Sequence, residues 1–259
     1  MISTYENIVG IKIINCEVND SLIFKNCTRV FIENCEFYNL SSPIQLRGCT
    51  EVNILSCKFY ECSGHNIQTS EGEVTSDLTI QDCDFKPKDL PWVSGVNDGA
   101  SGDVIALRNT YRAILSDNKI FNSGENGITI SKGCQNVIAR SNSIIRADGP
   151  GIQLGSIGDP VRNIVLDSNI IVDWGVGREV NDNQPAIRCH LANGVSISNN
   201  ILARGNYFAD TSYGILARDT DTLNIKNNVI LGTTIPFRIP KVLWDTVTDL
   251  TSDIEPRWS

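Results

Sequence analysis

Residues 127–144 read GITISKGCQNVIARSNSI. Apolar and polar residues alternate through Gly127-Ile128-Thr129-Ile130 and again through Val137-Ile138-Ala139, and Gly133, Asn136 and Ser141-Asn142 punctuate them. Alternation over so few residues, broken each time by turn formers, describes short strands and leaves no room for a helical period. Working outward, the second half of this phrase recurs along the chain. It appears as IINCEV from Ile13, IENCEF from Ile32, ILSCKF from Ile54 and IQDCDF from Ile80, then as LSDNKI from Leu115, ARSNSI from Ala139, LDSNII from Leu166, ISNNIL from Ile197 and IKNNVI from Ile225. The fourth letter is cysteine at 16, 35, 57 and 83 and asparagine at 118, 142, 169, 200 and 228. Spacings of 19 to 35 residues between those positions mean that the phrase is fixed and the connections vary.

The first half of the phrase also repeats, about ten residues ahead of the other. Its copies are PIQLRGC from Pro43, NIQTSEG from Asn66, VIALRNT from Val104, GITISKGC from Gly127, GIQLGSIG from Gly151, AIRCHLAN from Ala186 and GILARDTD from Gly214. Alternation places Ile44/Leu46, Ile67/Thr69, Ile105/Leu107, Ile128/Ile130, Ile152/Leu154, Ile187/Cys189 and Ile215/Ala217 inward. A repeat of this length holding two or three short strands is the pattern of a parallel β-solenoid, in which equivalent residues of successive coils stack ~4.8 Å apart. The keyed asparagines then form a hydrogen-bonded ladder, and Cys16, Cys35, Cys57 and Cys83 fill the same column as small buried hydrophobes. Cys27, Cys49 and Cys134 mark another repeated turn, Cys62 falls in a loop, and Cys189 faces inward. An odd total of nine cysteines with no C-x-x-C pair argues against a disulfide framework or a metal site, and no cofactor is expected.

Composition narrows the function. A net charge of −8 disfavours nucleic acid as a partner. No apolar run is long enough to span a membrane. Met1–Gly10 has neither a cationic nor an apolar signal segment, so the chain reads as made in a reducing cytoplasm, and as either released or carried on a virion. The repeat is already running at Ile11, so the edge of the first coil calls for a cover from a neighbouring subunit or an adjoining domain. Residues 1–240 are expected to form the solenoid and residues 241–259 a capping tail with Trp244 and Leu250 as its plug.

The phrase carried by Gly127–Ile144 resembles the right-handed parallel β-helix superfamily, the pectate-lyase-like group of carbohydrate-binding and sugar-hydrolase repeats. The resemblance covers about Ile11 to Pro240 and implies an all-β, single-stranded right-handed parallel β-helix of about nine coils. It also implies a substrate trough beside the first strand of each coil, walled by the loops leading into that strand.

The outward positions of that strand are Gln45/Arg47, Gln68/Ser70, Ala106/Arg108, Thr129/Ser131, Gln153/Gly155, Arg188/His190 and Leu216/Arg218, a cationic and amide-rich face on an acidic protein. It suits an acidic polysaccharide. A cation neutralises a uronate carboxylate while a base removes the adjacent proton, roles open to Arg188, Arg218 and His190. Arg47, Arg108, Gln68 and Gln153 would hold the polymer, with Trp92, Trp174 and Tyr207 of the loops stacking on sugars, or with Trp92 and Trp174 as lids closing an apolar seam. Asp148, Asp173 and Asp182 offer glycoside hydrolysis instead. Family signatures are missing: there is no DPH triplet, no NTD with DD and GHG, and no W-x-D-H, and Gly64-His65-Asn66 matches only part of one. The readings left open are a lyase, epimerase or hydrolase of an acidic polysaccharide, similar to tail-spike depolymerases, and a non-catalytic binding or structural β-helix.

Overall fold

The computed structural model describes residues 1–87, 102–156, 159–175, 184–205 and 213–239. Its strands are all parallel and build three sheets of ten, nine and nine strands, each strand pairing with its counterpart one coil away. The first sheet runs from Ile2–Glu6 to Ile235–Arg238, the second from Val9–Ile14 to Leu223–Lys226, and the third from Glu17–Val18 to Val229–Leu231. The two phrases of the sequence map onto this directly. GITIS supplies a first-sheet strand, Ile128–Ser131, while VIAR and its copies supply the second sheet and the residues after the keyed asparagine the third. The proposed capping tail, with Trp244 and Leu250, lies outside the described residues.

Every residue expected inward on the first sheet is buried, from Ile44 and Leu46 to Ile215 and Ala217. Register is exact along the column, with Ile44, Ile67, Ile105, Ile128, Ile152, Ile187 and Ile215 paired strand to strand. The third sheet adds a ring stack inside: Phe37, Phe59 and Phe85 lie parallel with 4.7 Å between successive centroids. Such repetition buries a continuous core although each coil alone has almost none.

The turn between the second and third sheets explains the letter before each keyed position. Asn15, Asn34, Ser56, Asp82, Asp117, Ser141, Ser168, Asn199 and Asn227 all have φ between 49° and 59°. Short polar side chains tolerate this left-handed conformation better than bulky ones. The next residue then turns inward. From Asn118 to Asn200 each side-chain amide donates to the Oδ1 of the next coil's asparagine at 2.9 Å, and that Oδ1 also takes the donor residue's backbone N–H, at 2.9 to 3.2 Å. Cys83 joins the two columns, because its backbone N–H is accepted by Asn118 Oδ1 at 3.1 Å.

All nine cysteines are free thiols, and all but Cys16, in the first coil, are buried. The seven from Cys16 to Cys83 point their sulfurs at carbonyls, Cys35 Sγ lying 3.2 Å from Glu33 O and 3.4 Å from Ile13 O, whereas Cys134 Sγ accepts the Thr110 N–H at 3.4 Å. Cys62, expected in a loop, lies at the turn leaving the third sheet and is fully buried there, with Sγ 3.4 Å from Tyr60 O.

Candidate functional site

The turn from the third sheet back to the first delivers each coil to the outer face of the first sheet, and at one such turn the backbone closes unusually tightly. Gly64 has φ +65°, and a Cβ on Gly102 would come within 2.5 Å of the Gly64 carbonyl carbon and 2.8 Å of the His65 nitrogen. That approach brings Asp103 beside His65. His65 Nδ1 lies 3.2 Å from the Asp103 backbone carbonyl and 4.0 Å from its carboxylate. The carboxylate is buried and held from the other side by Asn126, whose side-chain amide donates to Oδ1 at 2.7 Å and also reaches Thr129 Oγ1 at 3.1 Å.

The other ring nitrogen faces a cation. Arg108 Nη2 lies 3.3 Å from His65 Nε2. Since a guanidinium can only donate, Nε2 is the accepting nitrogen and the proton sits on Nδ1, aimed at the Asp103 carbonyl. The Arg108 backbone is pinned as well: Thr69 Oγ1 accepts its N–H at 2.6 Å and donates to its carbonyl at 2.8 Å. Around this arginine an open depression of about 200 Å³ is lined by Gln45, Arg47, Gln68, Ser70, Glu71 and Arg108. Arg47 extends from its rim, its Nη2 donating to Gln45 Oε1 at 3.1 Å. Glu71 balances part of the charge, 3.6 Å from Arg108 Nε and 3.9 Å from Lys132 Nζ.

A second polar cluster begins three strands beyond that of Arg108 along the same face, ~14 Å at the usual coil spacing. Arg188 is in register with Gln153 and donates to Gln184 Oε1 at 2.7 Å. His190 stands opposite Arg218, with Nε2 3.3 Å from the exposed carboxylate of Asp219. Strand register puts Arg188, His190 and Arg218 on the outer face of the first sheet, which Arg47, Gln68, Arg108 and Gln153 share.

The acidic and aromatic candidates fare differently. Asp173 lies in the third-sheet strand Ile170–Trp174, and its Oδ1 accepts the Gly205 backbone N–H at 2.7 Å, a structural use of the carboxylate. Asp148 follows the third-sheet strand Ser143–Ala147 and is half-buried at the turn. Trp174 corrects the expectation of an exposed stacking ring: it is fully buried, and its indole N–H donates to Gln184 O at 3.1 Å. Asp182, Trp92 and Tyr207 lie outside the described residues. Among the described residues no group of His, Cys, Asp and Glu could hold a metal ion.

A family model for the right handed beta helix region matches residues 2–95 and 94–230. The chain belongs to that family. No curated protein matches it by sequence. Solved structures with a similar course include tailspike protein gp49 from Pseudomonas phage LKA1, with a TM-score of 0.59 and 14% identity over 88% of this chain and 41% of that one. They also include PfbA, a surface adhesin of Streptococcus pneumoniae, with a TM-score of 0.53 and 16% identity over 82% of this chain and 63% of that one. The periplasmic alginate epimerase AlgG gives a TM-score of 0.50 and 14% identity over 85% of this chain and 50% of that one. This β-helix thus spans less than two thirds of each, and the likeness is one of fold.

Proposed function

We propose that this β-helix binds an acidic polysaccharide along the outer face of its first sheet and acts on it by removing the proton beside a uronate carboxylate. The observation that carries the reading is the Arg108–His65–Asp103 arrangement. An imidazole with a fixed tautomer, a buried group behind Nδ1 and a cation at Nε2 is suited to pairing a base with charge neutralisation. When a uronate carboxylate takes Arg108, the Nε2 lone pair is released. It accepts the proton from the carbon next to the carboxylate, and the electron pair left behind moves onto the carboxylate, where Arg108 stabilises it.

Two outcomes share that intermediate. Expelling the glycosidic oxygen from the adjacent ring carbon, with water protonating the departing oxygen, breaks the chain and leaves a carbon–carbon double bond between the two carbons. Returning a proton to the opposite face epimerises the carbon. The periplasmic alginate epimerase of like fold supports an acidic sugar polymer as the substrate class, and the alternating amides and arginines of the first sheet support a polymer lying along the axis. His190, whose Nε2 lies 3.3 Å from the exposed Asp219 carboxylate, is a second base candidate on the same face.

The test is turnover of alginate, polygalacturonate, hyaluronan and heparin, followed by ultraviolet absorbance of the new double bond and by exchange of solvent deuterium into the sugar. His65→Ala is expected to abolish both signals while retaining the polymer. A variant that works like the parent would remove His65 from the mechanism. A parent that retains these polymers without either signal would leave a binding module.

A further inference from the structure

The outer face of the third sheet carries an array unlike the rest of the surface. Tyr38, Tyr60 and Lys86 are in direct register, and the neighbouring pairs Asp84–Lys119 and Phe85–Ile120 place Phe121 next in the same column. The Lys86 ammonium sits over two rings, 5.4 Å from the centroid of Tyr60 and 5.9 Å from that of Phe121. The ammonium thus bridges two rings from coils that lie ~10 Å apart. With Glu61, Pro87 and Asn122 they enclose a depression of about 500 Å³, in the range of sites for small ligands.

The charges in this depression are mutually satisfied. Lys86 Nζ pairs with Asp84 at 3.1 Å, and the Tyr38 hydroxyl hydrogen-bonds the Glu61 carboxylate, which pushes the phenol pKa up. Aromatic faces surrounded by both donors and acceptors, with little net charge, complement a pyranose. Its C–H faces lie on rings, and its hydroxyls each need a donor and an acceptor. We propose that Tyr38, Tyr60, Lys86 and Phe121 form a second carbohydrate site, which holds sugar rings through their apolar faces and not through their charge. The identity of the ligand rests on the polysaccharide reading above; the location and the mode of contact are independent of it. The two sites differ in salt response. Binding on the first sheet depends on arginines and weakens as ions screen them, whereas ring stacking on the third sheet persists.

Affinity electrophoresis through gels containing alginate, polygalacturonate, hyaluronan or dextran, at low and high salt, tests this with the full chain. Tyr60→Ala/Phe121→Ala is expected to weaken high-salt retention about tenfold or more and to leave turnover of short uronate oligomers unchanged. Arg47→Ala/Arg108→Ala is expected to lose low-salt retention and to keep the high-salt part. Unchanged high-salt retention in the ring variant overturns the proposal, as does a change confined to sedimentation, which would make this face a contact between copies of the chain. If the ring variant loses retention and the arginine variant does not, the second site stands and the first-sheet reading falls. A parent retained by none of the gels overturns both. The substituted rings lie on the surface, and matching melting curves for parent and variants establish that the fold is intact.

Discussion

Asn169 stands in mid-ladder and makes four hydrogen bonds that leucine would remove. Its Nδ2 donates to Ala139 O and to Asn200 Oδ1, each at 2.9 Å, and its Oδ1 accepts Asn142 Nδ2 at 2.9 Å and Asn142 N at 3.1 Å. The site is fully buried, so water cannot replace the lost partners. At ~1 kcal/mol net for each bond, less 1–2 kcal/mol regained by burying the added apolar surface, Asn169→Leu should cost about 2 to 3 kcal/mol. That corresponds to a fall of roughly 5 to 10 °C in melting temperature. Two companion variants test the mechanism. Asn169→Cys continues the column that ends at Cys83, whose sulfur lies 3.4 Å from the carbonyl two residues earlier, so it keeps a weak donor and should cost less. Asn169→Asp still accepts from Asn142 but turns oxygen toward Ala139 O and Asn200 Oδ1. It should cost the most at neutral pH and recover as acid protonates it. Circular dichroism through thermal and urea unfolding gives the order Cys, Leu, Asp. A leucine variant within ~0.5 kcal/mol of the parent, or an aspartate variant milder than leucine, would refute the ladder as a source of stability.

Three further outcomes follow from other columns. Asn66 is 1% exposed and neither side-chain atom has a partner among the described residues, while the next coil has Val104 in its place; Asn66→Val should raise stability by about 1 to 3 kcal/mol in urea titration, and a loss would mean that the amide is satisfied in solution. Leu191 has φ +50° where equivalent turns use Asn26, Gly48 or Asn109, so Leu191→Asn should stabilise by about 1 kcal/mol, and a lower melting temperature would show that the leucine side chain outweighs its backbone cost. Burial pushes the Cys134 thiol up to about 11 and the Cys189 thiol up to about 12. Thiols raised in the folded state stabilise it fully below the unfolded value of 9.0, and that contribution is lost as pH rises from there through the folded values. Urea midpoints should therefore fall between pH ~9 and ~12, less steeply in Cys189→Ala; an equal fall in that variant would place the loss elsewhere.

The fold was legible because a solenoid writes its register into the sequence. One letter repeated at Cys16 through Asn228 fixes a column, and the alternating Ile/Leu pairs fix the inward face. The left-handed residue before each keyed position was also written there, as Asn, Ser or Asp, but it reads as a turn signal until φ is known. The site was only half legible. Alternation placed Arg47, Arg108, Arg188 and Arg218 on one face, yet His65 and Asp103 are 38 residues apart and meet through the close packing of Gly64 on Gly102, which no local pattern encodes. A histidine just ahead of a first-sheet strand, in a chain with only two, was the available signal. Trp174 misled because tryptophan in a glycine-rich stretch reads as a loop residue, whereas it ends a strand and turns into the core.

The function proposed for this β-helix requires that its first sheet hold an acidic polymer by its arginines. The most direct measurement is the equilibrium affinity for alginate and polygalacturonate oligomers as a function of salt, for the parent and for Arg47→Ala, Arg108→Ala, Arg188→Ala and Arg218→Ala. Affinity should fall steeply as ionic strength rises through ~0.1 M, where screening reaches ~10 Å, with each substitution weakening binding and flattening the salt dependence. Affinity that ignores salt, or that survives the loss of all four arginines, would contradict that function.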